Sequence, residues 1–522
     1  MTHEVFEEKR VGGLAATTPG LTTPVIPGFF PDPTICRAGD DYYLATSSFE
    51  YFPGAPVFHS RDLLSWEQVG NILTRRSQFA AGDRRPSGGI FGSTLRYHNN
   101  TFWFVTTNMS EFGGGHLLLT ADDPAGPWSD PVQISGTRGI DPDLAWDADG
   151  NCYLTWVGFG PADNESGIVQ ARLDPRAGEL LEPPRKVWQG TGLAFPEGPH
   201  LYQVGKWWYL LLAEGGTERG HAVSVSRSAT PEGHFEPHPQ NPIFSHRSTA
   251  AVVQNTGHAD LVQTAGGEWA AVYLGVRPHG SVPGYHVLGR ETFLAGITWH
   301  QGWPEFQEDR YQVPGVDTSF SDDFQAEKLN LRWISPGEDP ASFTAPHAKG
   351  LLVSGNGTAT ADGRPLLATR ARDEAWTARA TVQSPDGGTA RLELRVDPTH
   401  WYAVETDGHT VRAVARIGPL QQELASAAHG SGDGGTAPGG PAQLVIATGA
   451  SPKAGQPGTN HGPDEVSLGF VQDGQLAILA TLDGRYLSTE VAGGFTGRVI
   501  GISVAGGSAV VEHFDYRAGG PA

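Results

Sequence analysis

The chain has almost no cysteine. Only Cys36 and Cys152 occur in 522 residues, so disulfide bonds do not hold the fold together. Each lies in an apolar, strand-like run, where a buried free thiol is expected. Stability must therefore come from the packing of an ordinary core.

Positive charge and long apolar runs are also scarce. There are 36 Lys and Arg against 57 Asp and Glu, which gives a net charge of -21. Such a surface disfavours nucleic acid and anionic membranes as partners and suits a neutral substrate. No run reaches membrane-spanning length, and residues 1–20 lack the apolar core of a signal peptide. We therefore expect a cytoplasmic protein with no membrane partner, although a chain whose signal had been removed would look the same.

Turn-forming and aromatic residues are abundant instead. The chain holds 70 Gly and 39 Pro, and 10% of its residues are aromatic while only 18% are charged. This composition favours an all-β protein rich in turns. The length favours more than one domain.

One pattern of strands recurs five times between residues 24 and 313. Each unit has a polar or acidic residue, a short apolar strand, a Gly, Asp or Asn turn, an aromatic-rich strand and two further strands. A unit of about 50–60 residues with four strands is typical of a propeller blade. A sandwich gives similar strand spacing but not this fixed order within each unit. The sequence therefore predicts a five-bladed β-propeller over 24–313, preceded by a tail over 1–23.

A different unit follows a Pro- and Gly-containing linker at 313–316. Alternating apolar and polar residues recur in strand-length segments over 317–522, which predicts an antiparallel β-sandwich. Two tracts rich in Gly, Pro and Ser, 427–442 and 448–464, interrupt this pattern. They bury too little apolar surface to order themselves, so we expect flexible loops.

The propeller brings distant ionisable residues together. The first strand of each blade lines the central channel, and four of the five first strands open on Asp32, Asp141, Glu197 and His258. The equivalent position of the second blade is Gly92-Ser93. Because Asp often caps turns, acids at strand starts also arise for structural reasons. Four ionisable residues at five equivalent positions nevertheless indicate a shared site at one end of the channel.

The cluster resembles neither a metal site nor a nucleophile site. The sequence has no His-x-x-x-His, no Cys pair, no Gly-rich phosphate loop and no Gly-x-Ser-x-Gly elbow. Paired carboxylates without a cofactor point to hydrolysis of glycosidic bonds. Glu197 opens a very apolar run, which suits a protonated general acid, and Asp32 lies between two prolines, which suits an ionised base. The charge of Asp141 would keep the proton on Glu197, although an ordinary Asp-Pro turn is the alternative.

Aromatic and basic residues beside this cluster are candidates for sugar binding. Phe49 and Phe91 lie near the expected rim, where they either stack on a sugar or pack between blades. Arg290 follows His258 in the fifth blade and either binds sugar hydroxyls or makes an ion pair between blades. His258 either binds sugar, orients Arg290, ligates a cation or is an ordinary channel histidine.

Seven motifs, in order, resemble glycoside hydrolase family 43. They are PGFFPDPTIC (27–36), GDDYY (39–43), SSFEYFPG (47–54), GIDPDL (139–144), EGPHLY (197–202), GHAD (257–260) and LGRET (288–292). The tail resembles the concanavalin-like sandwich of β-xylosidase-type members. The resemblance implies inverting hydrolysis with Asp32 as base, Asp141 as pKa modulator and Glu197 as acid. It also implies that Arg290 holds the terminal sugar and that His258 lies at the channel centre, sometimes beside Ca²⁺, with no cofactor required.

The predicted function is exo-acting release of β-D-xylose or α-L-arabinofuranose from hemicellulose-derived oligosaccharides. Alternatives are an endo-arabinanase or galactanase, a non-catalytic carbohydrate-binding propeller, and a propeller that serves as a protein-interaction platform. Two departures from the family lie near the expected pocket: Phe30 stands where many relatives have His, and Gly88–Gly92 replaces a Trp-Ala-Pro segment. In some relatives a sandwich loop closes the pocket, and the candidate here, 505–508, is short.

Overall fold

A computed structural model describes most of the chain. The described residues are 22–79, 85–160, 166–280, 282, 284–355, 364–384, 387–429, 440–452 and 462–519. Nearly all of the predicted tail, 1–23, lies outside them, as do 430–439 and 453–461 of the two predicted flexible loops. Across the described ranges, no helix is both long enough and apolar enough to cross a membrane.

Five antiparallel sheets follow one another along the first part of the chain, as the repeat predicts. In each blade the strands pair in chain order, and the third blade carries one extra strand on β12. The strands of the blades are, in turn, β1 (Thr34–Ala38), β2 (Asp41–Ala45), β4 (Gly54–Ser60) and β5 (Glu67–Leu73); β6 (Thr94–His98), β7 (Thr101–Thr106), β8 (His116–Ala121) and β9 (Val132–Ile134); β10 (Gly139–Trp146), β11 (Cys152–Phe159), β12 (Ser166–Asp174), β13 (Glu179–Leu180) and β14 (Arg185–Trp188); β15 (Glu197–Val204), β16 (Trp207–Glu214), β17 (Ala222–Ser228) and β18 (Glu236–Pro237); β19 (Gln254–Gln263), β20 (Trp269–Val276), β21 (Glu291–His300) and β22 (Trp303–Gln307).

Apolar side chains fill every gap between neighbouring blades. Separate buried clusters join the first blade to the second, and so on around the ring. The cluster between the fifth and first blades includes Val25 and Ile26, which precede the first blade. The backbone N–H of Val25 donates to the carbonyl of Thr292 over 2.9 Å. The chain before the first blade therefore helps to close the ring against the fifth.

A buried ionic cluster fixes the first strands around the channel. Arg96 of β6 donates to Asp143 of β10 over 2.7 Å and to Asp260 of β19 over 2.8 Å. Asp260 also accepts from Thr34 of β1 over 2.7 Å. Because both carboxylates are fully buried, they need this paired cation to offset the cost of desolvation. Side chains from four of the five blades are thereby joined in one buried cluster of ion pairs and hydrogen bonds.

The second part of the chain forms two packed antiparallel sheets, as predicted. The larger sheet contains β23 (Phe320–Asp322), β25 (Thr344–His347), β26 (Gly350–Ser354), β28 (Trp376–Gln383), β33 (Ala442–Ala450), β34 (Asp464–Gln472), β35 (Gln475–Asp483) and β37 (Ser508–Ala518). The smaller sheet contains β27 (Leu366–Arg370), β29 (Thr389–Asp397), β30 (His400–Thr406), β31 (Thr410–Ile417), β32 (Leu420–Ala428) and β36 (Val499–Ala505). The single short α-helix in the described ranges is α1 (Thr489–Ala492). Short 3₁₀ turns cover Met109–Glu111, Glu308–Arg310, Pro340–Ser342 and Gly484–Leu487.

Four strands of the second domain were not predicted from the sequence: β24 (Ser335–Pro336), β25, β27 and β32. β27 is a fully buried five-residue strand without alternation, and β32 is an exposed edge strand rich in Gln and Ala. The ends of the two predicted loops were also wrong, because β32 continues to Ala428 and β33 covers Ala442–Ala450. Strand pairing supplies backbone partners there, although the side chains carry little apolar signal.

The two domains are joined by backbone pairing as well as by side chains. β3 (Tyr51–Phe52) of the propeller pairs with β24 (Ser335–Pro336) of the sandwich. Phe30 is buried in the cluster between the fifth and first blades, and the guanidinium of Arg370, in β27 of the sandwich, lies 4.6 Å from the centre of its ring. Phe30 therefore belongs to the contact between the domains and does not line the pocket described below.

Candidate active site

Local irregularities aim the predicted site residues into the channel mouth. β-Bulges interrupt β10 after Ile140, β15 after Glu197 and β19 on both sides of Gly257. A bulge re-aims the side chains of a strand. Asp32, Asp141 and His258 also have positive φ angles of 54°, 52° and 49°, a strained region for residues other than glycine. Three equivalent first strands thus carry the same strain at the position of the functional side chain.

These side chains meet in one small pocket of about 90 Å³. The structure brings together all seven residues predicted from the sequence: Asp32, Phe49, Phe91, Asp141, Glu197, His258 and Arg290. Gly92, at the equivalent position of the second blade, leaves the room that they need. A Cβ atom there would lie 2.4 Å from Asp141 Oδ1 and 3.2 Å from His258 Cε1.

Asp32 is held as a carboxylate. Burial raises its pKa, but the positive charges of Arg290 and His258 outweigh burial and leave the pKa below its usual value. Arg290 Nη1 donates to Asp32 Oδ1 over 2.9 Å, and His258 Nδ1 lies 3.5 Å from the same oxygen. An ionised, buried carboxylate can take a proton from water, as a general base must.

Glu197 is held as a carboxylic acid. Burial, then the negative charges of Asp141 and Asp32, raise its pKa to about 8, with Arg290 acting in the opposite direction. Burial also raises the pKa of Asp141. The N–H of Gly198, directly after the acid, donates to Asp141 Oδ2 over 3.0 Å. Two carboxyl groups in one pocket with pKa values pushed apart can serve as base and acid.

Three phenylalanine rings form one wall of the pocket. The rings of Phe49 and Phe91 are 5.4 Å apart, and Phe495 lies 5.8 Å from each of them. The guanidinium of Arg290 lies 5.7 Å from the centre of the Phe49 ring and 5.6 Å from that of Phe495. This wall is apolar, so it can contact the C–H face of a sugar but offers no side-chain hydrogen bond to it.

Phe495 comes from the sandwich, and the sequence did not identify it. The candidate loop at 505–508 is wrong, because it is the turn between β36 and β37 and does not line the pocket. Phe495 follows α1, where Gly497 lets the sandwich approach the fifth blade closely: a Cβ at Gly497 would be 2.4 Å from the carbonyl oxygen of Leu288. An aromatic residue among glycines, GGFTG over 493–497, was the available signal.

Thr217, in the loop after β16 of the fourth blade, also lines the pocket, whereas Phe195 does not. Thr217 Oγ1 accepts a hydrogen bond from Arg290 Nη1 over 2.9 Å, so this arginine is held by the base and by the loop after β16. Phe195 lies two residues before the acid and is 73% exposed. Its ring rests on Gly216, where a Cβ would lie 3.2 Å from the ring edge.

Calcium near His258 stays a prediction. In the described part of the chain, no three His, Cys, Asp or Glu side chains are grouped so as to hold a metal ion. The His258 ring packs against Gly198, where a Cβ would be 2.9 Å from Nε2. These side chains do not form a calcium cage, and the chemistry below involves no ion.

Comparisons with known proteins agree with this architecture. Residues 21–304 match the family model Glycosyl hydrolases family 43, and residues 321–517 match the Beta xylosidase C-terminal Concanavalin A-like domain. A non-reducing end alpha-L-arabinofuranosidase of Bacteroides ovatus is 36% identical over 95% of this chain and 94% of its own length. A xylosidase/arabinosidase of Butyrivibrio fibrisolvens is 47% identical, over 54% of this chain and 55% of its own.

Solved structures extend the similarity to both domains. The Bacteroides ovatus Xyloglucan PUL GH43B superposes with a TM-score of 0.82 and 34% identity, covering 95% of this chain and 99% of that one. A xylan beta-1,4-xylosidase of Bacillus halodurans superposes with a TM-score of 0.81 and 28% identity over the same shares of the two chains. The prediction of a five-bladed propeller followed by a concanavalin-like sandwich is thereby confirmed. The chain belongs to glycosyl hydrolases family 43 and carries the C-terminal concanavalin A-like domain of β-xylosidases.

Proposed function

We propose that the protein is an inverting exo-glycoside hydrolase that removes terminal pentoses, β-D-xylose and α-L-arabinofuranose, from hemicellulose-derived oligosaccharides. The observation that carries this proposal is the pocket itself, in which one carboxyl is held ionised and another protonated. The relatives named for xylosidase and arabinofuranosidase activity support the choice of sugar.

The reaction follows from the two protonation states. A water molecule placed between Asp32 and the anomeric carbon gives a proton to Asp32 as its oxygen attacks that carbon. The bond from the anomeric carbon to the leaving oxygen breaks, and the proton of Glu197 passes to that oxygen. Because water attacks the face opposite the leaving group, the product has inverted configuration, which requires carboxyls about 6.5–9.5 Å apart.

The rest of the pocket supports a terminal, five-carbon sugar. Arg290, held by Asp32 and Thr217, has guanidinium donors for sugar hydroxyls. The wall of Phe49, Phe91 and Phe495 gives no polar partner to an additional hydroxymethyl group. Phe495 also bounds the pocket from the sandwich side, which favours a chain end over the middle of a polysaccharide and disfavours the endo-acting alternative.

The experiment is hydrolysis of an aryl β-xyloside and an aryl α-L-arabinofuranoside by the wild type and by Glu197→Ala. We expect cleavage of at least one substrate and a loss of about 10²–10⁴-fold in the variant, the usual contribution of a general acid. Glu67→Gln, at an exposed position on β5, is the matched control and should keep full activity. Proton NMR of the first product then gives its configuration. Retention of configuration, or no cleavage by folded wild type, would refute the proposal.

A further inference from the structure

A buried histidine lies behind the proposed acid and takes no part in the mechanism above. His221 directly precedes β17 and is 0% exposed. Its Nδ1 atom is 2.9 Å from the carbonyl oxygen of Asn255. A carbonyl can only accept, so Nδ1 carries the hydrogen and Nε2 is left with a lone pair.

That lone pair faces the proposed acid. His221 Nε2 is buried without a hydrogen-bond partner and lies 3.7 Å from Glu197 Oε1. A buried acceptor without a partner is costly, and a protonated Glu197, whose Oε1 lies 3.7 Å away, can satisfy it. Catalytic hydrogen bonds are often long in the free enzyme, and a small rotation of the carboxyl closes this gap.

The surroundings keep His221 neutral and fixed in this orientation. Burial lowers its pKa to about 3, with Asn255 and Asp32 acting in the opposite direction and His258 and Arg290 in the same one. The ring packs directly on the backbone of Gly257, since a Cβ there would be 2.5 Å from Nδ1 and Cε1. The ring can therefore only accept a hydrogen bond from Glu197.

We propose that His221 is a positioning residue for the general acid, which accepts the hydrogen of protonated Glu197 until the leaving oxygen of the substrate arrives. This inference rests on the proposed function. No covalent bond forms or breaks in the resting enzyme. The proton stays on Glu197, and rotation of the carboxyl presents that proton to the substrate. An acceptor at Nε2 stabilises the neutral acid and opposes its ionisation, because a lone pair repels the carboxylate. The other charged groups facing Glu197 are Asp141, Asp32 and Arg290.

Two variants separate this role from a structural one. His221→Asn keeps a donor near the position of Nδ1, for the Asn255 carbonyl, and removes the group that faces Glu197. His221→Gln puts an amide oxygen near the position of Nε2 and so restores an acceptor. Each variant is assayed over pH with two aryl β-xylosides: a dinitrophenyl glycoside, whose leaving group needs no proton, and a methylumbelliferyl glycoside, whose leaving group does.

We expect His221→Asn to lose about tenfold in kcat/KM on the methylumbelliferyl glycoside at pH 8 and to move the basic limb of that profile down by about one pH unit. Activity on the dinitrophenyl glycoside should stay within about twofold, and His221→Gln should recover most of the loss. Equal losses on both substrates would indicate a structural role and overturn the inference. An unchanged basic limb in a folded Asn variant would overturn it as well.

If His221→Asn does not fold, infrared spectroscopy of proteins that keep His221 still tests the inference. The carboxylic C=O stretch that disappears from the infrared spectrum in Glu197→Gln belongs to the acid. In wild type at neutral pH it should have the lowered frequency of a hydrogen-bonded acid, whereas the frequency of an unbonded acid would refute the inference. If wild type cleaves no glycoside at all, the proposed function fails first, and the two failures are distinguishable.

Discussion

Replacing Asp141 by asparagine tests whether a neighbouring negative charge keeps the proton on the acid. The side chain of Asn has nearly the same shape, and its oxygen can still accept from the N–H of Gly198, which Asp141 now does over 3.0 Å. The substitution therefore removes charge with little change in packing. Since the proposed mechanism requires protonated Glu197, kcat/KM should fall as pH rises through the pKa of about 8. Removing Asp141 makes ionisation of Glu197 easier, so the basic limb should move to lower pH.

The size of this shift follows from electrostatics. Burial is the largest cause of the raised pKa of Glu197, and Asp141 is the second, so most of the perturbation should survive the substitution. Between any two unit charges about 6 Å apart, an effective dielectric constant of about 20–40 gives an interaction of about 1.4–2.8 kcal/mol, equivalent to about one to two pKa units. The basic limb should therefore fall from about pH 8 to between about pH 6 and 7.

The assay is the pH profile of kcat/KM on an aryl β-xyloside for wild type, Asp141→Asn and Asp149→Asn. Asp149 lies in the exposed turn between β10 and β11, so its variant controls for the loss of a distant charge in the same blade. Thermal denaturation confirms folding at each pH. A basic limb that stays near pH 8 in Asp141→Asn would refute the role of the Asp141 charge. An equal shift of the basic limb in Asp141→Asn and Asp149→Asn would refute it as well.

Two other predictions concern the contact between the domains, which includes Phe495 and also Glu50, whose backbone carbonyl accepts from the N–H of Gly337 over 2.6 Å. Phe495→Ala should lower kcat/KM by about tenfold, mainly through KM, because it removes an aromatic ring that lines the pocket. An unchanged KM in the folded variant would contradict a binding role. Glu50→Gln should stabilise the fold at high pH. Burial raises the pKa of Glu50 to about 7 from 4.5. The stability that wild type gains from keeping Glu50 protonated is therefore fully present below about pH 4.5 and is lost as pH rises through 7. In denaturant titrations the free energy of unfolding of the variant should exceed that of wild type by about 3 kcal/mol at pH 8, and the two values should converge near pH 4. A difference that does not change with pH would contradict the raised pKa of Glu50.

The positions of the carboxylates could be predicted because they depend on topology. In a closed ring of similar blades, equivalent positions of the first strands must meet, whatever separates them in sequence. Asp32, Asp141, Glu197 and His258 were found in this way, although β1 begins two residues after Asp32 and β19 begins four residues before His258. The bulges and positive φ angles that make these offsets compatible have no reliable signature in a single sequence.

The remaining parts of the site follow from contacts that no repeat encodes. Phe495 reaches the pocket because glycines at 289 and 497 allow two backbones to touch, a close approach between segments about 200 residues apart. His221 belongs to the third strand region of its blade and not to the first, so equivalence between blades gives it no role. Its proposed role rests on the unpartnered Nε2 atom and on the hydrogen bond to Asn255 that fixes the tautomer. The repeat thus determines where charge collects in the pocket, and burial with the charges of Asp141 and Asp32 determines that Glu197 keeps its proton, whereas Phe495, from outside the repeat, determines how the pocket is closed.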